Sequence, residues 1–223
     1  QNQLRSSQMR PYNLAISVAP ASPPAVCWNV MDSYVRGPET PVLEQTIEQT
    51  FTRTVRKFPD VDALISRHQN IRLTWAGLDR EVERTARGLA GLGLARGSRV
   101  GIWSPNCAEW SYLHYASSRA GVVLVNINPA YRAHELEYVL RKSRIEAIFL
   151  PEADDRAPYR EILDRAVHGQ DLPLKHSIYL GTDSWSRFID DGRDIPSFEA
   201  SPNDVANIQY TSGTTGNPKG VLL

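Results

Sequence analysis

VANIQYTSGTTGNPKG, residues 205–220, joins a strand-like stretch to a loop crowded with glycine and hydroxyl side chains. Val205 to Tyr210 has the composition of a short strand. The ten residues that follow hold four hydroxyl side chains, three glycines and one lysine, Lys219. Glycine lets backbone N–H groups approach an anion closely, hydroxyls donate hydrogen bonds, and lysine supplies a positive charge. The stretch therefore predicts a polyphosphate-binding loop at the end of a strand.

Two common phosphate-binding motifs are excluded. The pattern G-x-x-x-x-G-K-[ST] fails because Pro218 stands five residues after Gly213, and because Gly220 follows Lys219. The pattern G-x-G-x-x-G does not occur, so a dinucleotide-binding fold is not expected either. A segment rich in Ser, Thr and Gly is commonly a solvated linker, and its composition alone leaves that alternative open.

Helical and strand-like patterns alternate from Pro41 to this loop. The predicted helices are residues 43–58, 74–92, 106–120, 134–142 and 156–167, with Thr74 and Asn106 as caps and Gly93 as a stop. The predicted strands are residues 63–65, 71–73, 99–103, 122–125, 146–150, 176–180 and 205–210, the first two forming a hairpin through Gln69-Asn70. Residues 181–203 are polar and are predicted as a surface loop. The alternation predicts an α/β fold with a mainly parallel sheet flanked by helices, binding its ligand beyond the carboxyl ends of the strands.

Other candidate residues carry less information. His114 and His134 lie on predicted helices without a partner at metal-ligand spacing, so packing or exposure is expected and no metal site is predicted. Cys107 follows the predicted cap Asn106, and a helix N-terminus there would partly activate its thiol. No base is found to pair with Cys107, so it is not predicted to be a nucleophile.

The composition limits the class of protein. The 223 residues have a formal net charge of zero, which argues against nucleic acid as the main partner. No apolar run approaches the roughly 20 residues that span a bilayer. The two cysteines, Cys27 and Cys107, fit neither a disulfide framework nor a zinc site, and we expect a reducing compartment, with the cytoplasm as the first expectation.

Residues 1–32 differ in composition from the rest, since no acidic residue precedes Asp32 and several prolines interrupt any helix. We expect a flexible extension, or upstream sequence with Met31 as the true start. A mitochondrial transit peptide is an alternative because such segments are poor in acid, and the mitochondrial matrix is therefore the alternative location. A secretory signal is less favoured because no apolar core follows a basic start.

The order of residues in the loop identifies a family. Thr-Ser-Gly-Thr-Thr-Gly-x-Pro-Lys-Gly resembles the signature of the adenylate-forming superfamily, which includes acyl-CoA synthetases, peptide-synthetase adenylation domains and luciferase-like enzymes, and the match is complete over Tyr210 to Gly220. Segments upstream resemble the N-terminal half of these ligases: residues 73–89, 97–102, 105–106 and 109–110. Asn128-Pro129-Ala130-Tyr131 resembles the fatty-acyl-CoA synthetase branch, close to the medium-chain enzymes of bacteria and mitochondria.

The resemblance implies a fold and a domain organisation. Residues 33–223 would be the N-terminal portion of a large adenylate-forming (AMP-binding) domain, α/β with mainly parallel sheets flanked by helices, truncated after the phosphate loop and therefore incomplete. The later strands, the acidic Mg²⁺ partner, the ribose-binding aspartate and the C-terminal lysine of the family would lie downstream. On that basis the free chain is expected to bind ATP poorly and not to turn over.

The resemblance also implies the chemistry. Family members join a carboxylate to the α-phosphorus of Mg-ATP, releasing pyrophosphate, and the thiol of coenzyme A then displaces AMP. The implied cofactors are ATP, Mg²⁺ and coenzyme A, and the implied substrate is a fatty acid. Lys219 would be catalytic by neutralising the departing pyrophosphate. The residues implied to bind phosphate are Thr211, Ser212, Gly213, Thr214, Thr215, Gly216, Lys219 and Gly220.

Two alternatives remain at this stage. An adenylation domain that loads a carrier protein would share the same loop. A truncated, non-catalytic remnant would retain the sequence without the activity. The sequence specifies neither the acyl chain length nor the oligomeric state.

Overall fold

The computed structural model describes residues 37–38, 40–41, 43–211 and 218–223. The predicted extension, residues 1–32, lies outside the described residues, and so does most of the phosphate loop, residues 212–217. In the described ranges, the helices are α1 Ile47–Lys57, α2 Trp75–Gly91, α3 Ala108–Ala120, α4 Ala133–Ser143, α5 Tyr159–Val167 and α6 Asp183–Asp190. The strands are β1 Asp62–Ser66, β2 Ile71–Thr74, β3 Arg99–Ile102, β4 Val123–Asn126, β5 Ile145–Leu150, β6 His176–Tyr179, β7 Asn207–Thr211 and β8 Lys219–Leu222.

The main sheet has the strand order β6-β5-β3-β4-β7-β8. Every neighbouring pair from β6 to β7 is parallel, and only β8 runs antiparallel, against β7. The prediction of a mainly parallel sheet flanked by helices is confirmed. Because the parallel strands share one direction, their carboxyl ends lie along one edge of the sheet, and β7 ends there.

Helices cover both faces of the sheet. On one face α1, α2, α3 and α6 pack over Val100, Leu124 and Phe149. On the other face α4 and α5 pack over Val125 and Ile148. The central strands are therefore apolar on both sides, as expected for parallel strands covered by helices.

β1 and β2 form the predicted hairpin, and the structure shows that it is a two-stranded sheet separate from the main sheet. Its turn brings Gln69 to the start of α3, where the Gln69 Oε1 atom accepts a hydrogen bond of 2.7 Å from the Ala108 backbone N–H. The prediction that Asn106 caps this helix is wrong. Asn106 is exposed and the cap position belongs to Cys107, whose side chain makes no cap hydrogen bond. A glutamine 39 residues upstream performs the task instead.

The prediction of a surface loop over residues 181–203 is wrong for its first part, which forms α6. Thr182 caps this helix by accepting a hydrogen bond of 3.1 Å from the Ser184 backbone N–H. Phe188 is buried and packs edge-on against Phe149, with ring centroids 5.0 Å apart. It also lies over Gly88, where an added Cβ would be 2.7 Å from the Phe188 ring. Because most residues of the segment are polar, the sequence analysis did not recognise Phe188 as a buried residue of a helix.

The first helix also begins later than predicted. Thr46 and Gln49 form a capping box, so that α1 starts at Ile47. Leu43, which the periodicity placed in the helix, precedes the cap and is 66% exposed. The local capping hydrogen bonds outweigh the continuation of the apolar pattern.

Among the described residues, the longest and most apolar helices still fall short of what a membrane crossing requires.

Candidate phosphate-binding site

The hairpin of β7 and β8 forms the stem of the predicted phosphate loop. Tyr210 pairs with Gly220, and Thr211 pairs with Lys219. β8 was not predicted, because the sequence between the loop and Leu223 is too short to show a periodicity. Its presence means that Thr211 and Lys219 lie side by side at the carboxyl edge of the parallel strands, which is where sheets of this kind bind ligands.

The structure describes three of the residues implied to bind phosphate. Thr211, Lys219 and Gly220 are all exposed. The Thr211 hydroxyl makes a long contact of 3.5 Å with the Lys219 carbonyl oxygen. Five implied residues lie outside the described residues: Ser212, Gly213, Thr214, Thr215 and Gly216. The described part is thus an exposed hydroxyl and an exposed cation that flank the ends of the loop.

The side chains of the stem alternate between the two faces of the hairpin. Tyr210 packs with Ile208 in the cluster beneath α4 and α5. Thr211 and Lys219 therefore point to the opposite face. Within the part of the chain that the structure describes, Lys219 forms no ion pair. A lysine that pairs with no carboxylate of the described residues suits the charge of a polyphosphate.

Two polar contacts near the stem escaped the sequence analysis. The Tyr210 hydroxyl and the Ser143 hydroxyl are 2.7 Å apart, which ties the end of β7 to the last residue of α4. Asn126 on β4 donates a hydrogen bond of 3.3 Å from Nδ2 to Asn207 Oδ1 on β7. The outer atoms of this pair, Asn126 Oδ1 and Asn207 Nδ2, are buried and have no partner among the described residues. Only tertiary contact relates these residues, which are 67 and 81 positions apart.

Asn128-Pro129-Ala130-Tyr131 makes the turn that was predicted before α4. The Asn128 Oδ1 atom accepts a hydrogen bond of 2.9 Å from the Ala130 backbone N–H. The Asn128 carbonyl oxygen accepts a bond of 3.1 Å from the indole of Trp103, a side chain buried at the end of β3. The turn is therefore fixed to the carboxyl edge of the sheet.

The prediction that a helix N-terminus activates the Cys107 thiol is wrong. Burial raises the pKa of Cys107 from its ordinary 9.0 to about 11, and a hydrogen bond from Ser104 offsets this only in part. The negative charge of the neighbouring Glu109 raises the pKa further. The thiol is therefore protonated and unreactive near neutral pH.

In the described ranges, no three residues of the types His, Cys, Asp and Glu lie close enough together to hold a metal ion. Burial lowers the pKa of His114, and its ring stacks near Trp110 with centroids 6.0 Å apart. His114 is thus a packing residue, as the sequence predicted.

Comparison with known proteins agrees with this architecture. A family model described as AMP-binding enzyme matches residues 51–223. The chain is 35% identical over 218 residues to the mitochondrial medium-chain acyl-CoA ligase ACSF2 of Macaca fascicularis, a match that covers 86% of this chain and 35% of the relative. The chain thus spans about a third of the length of this curated relative.

Solved structures agree as well. The N-terminal domain of FACL13 from Mycobacterium tuberculosis superposes with a TM-score of 0.71 at 30% identity, covering 81% of this chain and 44% of that chain. A long-chain-fatty-acid-CoA ligase (FadD1) from Archaeoglobus fulgidus gives a TM-score of 0.72 at 25% identity, covering 85% and 39%. The resemblance inferred from the residues is confirmed: this chain belongs to the AMP-binding, adenylate-forming enzyme family.

Proposed function

We propose that this chain supplies the phosphate-binding portion of an ATP-dependent fatty-acyl-CoA ligase. The observation that carries the proposal is the pairing of Thr211 with Lys219 at the carboxyl edge of the parallel sheet. This pairing places an exposed hydroxyl and an exposed ammonium group at the two ends of a glycine-rich loop. The names of the similar proteins, which are medium-chain and long-chain ligases, favour a fatty acid as the substrate.

The proposed reaction has two steps. The fatty-acid carboxylate attacks the α-phosphorus of ATP, the bond from the α-phosphorus to the α,β-bridging oxygen breaks, and pyrophosphate leaves with its negative charge. The thiol of coenzyme A then attacks the acyl carbon, and AMP leaves. In the first step Lys219 and the loop residues 211–216 bind the β- and γ-phosphates and offset the charge of the leaving group. Mg²⁺ would add positive charge at the phosphates.

The domain organisation follows from the same proposal. Residues 33–223 form the N-terminal portion of the adenylate-forming domain, and residues 1–32 precede it as an extension. The cytoplasm is the proposed location, with the mitochondrial matrix as the alternative favoured by the name of the relative in Macaca fascicularis.

The test is ATP–pyrophosphate exchange in the complete protein that carries these residues. We expect exchange that depends on a fatty acid, and the acid that gives the highest rate would define the chain length. Lys219→Ala should slow the exchange by about 100-fold, because it removes a charge aimed at the leaving group. Unchanged exchange in this variant would refute the role of Lys219.

Lys175→Ala is the matched control. Lys175 is an exposed lysine that pairs with Glu146 at the amino end of the sheet, away from the stem. We expect this variant to exchange pyrophosphate at the normal rate. A second measurement replaces coenzyme A by a phosphopantetheinyl carrier protein. Transfer to the carrier and not to coenzyme A would make the protein a carrier-loading enzyme, and absence of any exchange would make it a non-catalytic relative.

A further inference from the structure

The ring of Tyr210 occupies the space between the phosphate-loop stem and α4. Its hydroxyl lies 2.7 Å from the hydroxyl of Ser143, which is the last residue of α4 and only 6% exposed. Burial raises the pKa of Tyr210, so the phenol stays protonated and the contact is a neutral hydrogen bond. The end of β7 is thereby held to a helix on one face of the sheet.

The same ring also contacts β8. Gly220 pairs with Tyr210, and a Cβ added to Gly220 would lie 3.3 Å from the Tyr210 Cζ atom and 3.3 Å from Ile208 Cγ2. Such a contact is tighter than ordinary van der Waals packing, so the ring fits against Gly220 because glycine has no side chain. We call Tyr210, Ser143 and Gly220 the stem clamp.

The stem clamp is one residue pair away from Thr211 and Lys219. Among the described residues, β8 pairs only with β7, so the contacts that β7 side chains make with β8 help to set its position. The Tyr210 ring connects β8 to α4, because it packs against Gly220 on one side and its hydroxyl contacts Ser143 at the buried end of α4. A shift of the ring would move the backbone of Gly220 and with it the backbone of Lys219.

We propose that Tyr210 is a positioning residue that, through Ser143 and Gly220, sets where Lys219 meets the leaving pyrophosphate. The inference rests on the proposed function. Tyr210 itself touches no reacting atom, because its side chain points to the face of the hairpin opposite Thr211 and Lys219. Rates of group transfer fall steeply when a charged group is displaced by about 1 Å from its working position, which is why a residue of this kind affects the chemistry.

The experiment measures the two half-reactions separately in the complete protein. Tyr210→Phe keeps the ring and removes the hydroxyl, and Ser143→Ala removes the partner. Each should lower kcat for fatty-acid-dependent pyrophosphate exchange by roughly three- to tenfold, the kinetic equivalent of one neutral hydrogen bond. The double variant should be no slower than either single variant, because both remove the same bond. Gly220→Ala should also slow exchange, although it removes no hydrogen bond.

The second half-reaction separates positioning from a general loss of folded protein. Supplied acyl-adenylate and coenzyme A should give thioester at the normal rate in Tyr210→Phe, since no pyrophosphate departs in that step. The KM for the fatty acid should also be unchanged. Tyr112→Phe is the control, because Tyr112 is a buried tyrosine on α3, on the opposite face of the sheet. It should leave both half-reactions unchanged.

The outcomes are distinguishable. If the unsubstituted protein shows no exchange, the proposed function fails. If it exchanges pyrophosphate and Tyr210→Phe behaves like Tyr112→Phe, the stem clamp is overturned while the function stands. If Tyr210→Phe slows both half-reactions equally, the residue is merely structural and the inference is overturned as well.

Discussion

Arg119 joins three helices through one side chain. From α3 it forms ion pairs with Glu48 of α1 at 3.1 Å and with Asp79 and Glu83 of α2 at 2.7 and 3.1 Å. The Arg119 side chain is only 14% exposed. Burial lowers its pKa, but hydrogen bonds and the charges of Asp79 and Glu48 outweigh this and raise the pKa overall. The guanidinium with its several donors is suited to such a junction, because one group can contact several carboxylates.

We predict that Arg119→Met lowers the free energy of unfolding by about 2 kcal/mol, because three carboxylates would be left together without their common partner. Urea-induced unfolding would measure the change. Arg84→Met is the control, since Arg84 is 56% exposed and, within the described ranges, forms an ion pair with Glu81 alone. It should change the stability by less than about 0.5 kcal/mol. Equal losses in both variants would contradict the prediction.

The raised pKa of the Cys107 thiol predicts that the stability of the protein depends on pH in the alkaline range. Its folded pKa of about 11 lies above the ordinary 9.0, so the folded state holds the proton more tightly than the unfolded state does. The resulting stability is present in full below pH 9.0 and is lost as the pH rises through about 11. Cys107→Ala should therefore lose less stability than the unsubstituted protein between these pH values. Parallel pH profiles of the two proteins would be evidence against a buried, protonated thiol.

At the scale of elements, a residue in the turn of the β1–β2 hairpin caps the N-terminus of α3. Gln69 accepts hydrogen bonds of 2.7 Å from the Ala108 backbone N–H and from the Ser66 hydroxyl, and it donates one of 2.8 Å to Glu109. The long-range contact takes the place of a local cap. This explains why the prediction for Asn106 was wrong while the predicted extent of the helix was nearly right.

We predict that Gln69→Ala destabilises the protein by about 1–2 kcal/mol, because it leaves the Ala108 backbone N–H and the Ser66 hydroxyl without their partner. Asn106→Ala should be within about 0.5 kcal/mol of the unsubstituted protein, since Asn106 is exposed. Thermal unfolding of the two variants side by side would measure the difference. A larger loss of stability for Asn106→Ala than for Gln69→Ala would indicate that Asn106 caps α3 after all and would contradict this prediction.

Elements whose apolar pattern is local were predictable. The stripe of Leu78, Val82, Ala86 and Leu89 on α2 is buried as the spacing indicated. The helix α6 was not predictable in this way, because it is short and its anchors, such as Phe188, are separated by polar residues. Its position depends on Gly88, about 100 residues upstream, where the absence of a side chain makes room for the Phe188 ring.

At the scale of the whole molecule, helices cover both faces of the central strands of the sheet. The phosphate-loop stem is formed by β7 and β8, and among the described residues β8 pairs only with β7. At this place the described residues supply one cation, Lys219, and one hydroxyl, Thr211, and none of them is identified as a partner for the adenine or the ribose.

We therefore predict that the isolated 223-residue chain gives no thermal shift with Mg-ATP and forms no acyl-adenylate. The physical reason is that phosphate contacts alone, exposed to solvent, provide little binding free energy, whereas enclosed sites bury most of their ligand. Differential scanning fluorimetry with Mg-ATP would measure the shift, with the complete protein as the positive control. A shift in the isolated chain equal to that of the complete protein would contradict this prediction.

The order of residues alone determined the α/β class and the family, and it predicted a phosphate-binding loop, because the strand–helix periodicity and a contiguous motif are local properties of the chain. Tertiary structure decided the rest: that β8 pairs Lys219 with Thr211, that Gln69 caps α3, that Tyr210 reaches Ser143, and that Cys107 is partly buried with a raised pKa. Each of these depends on the fold, through contacts between residues distant in the chain or through burial, and no pattern within one segment encodes it.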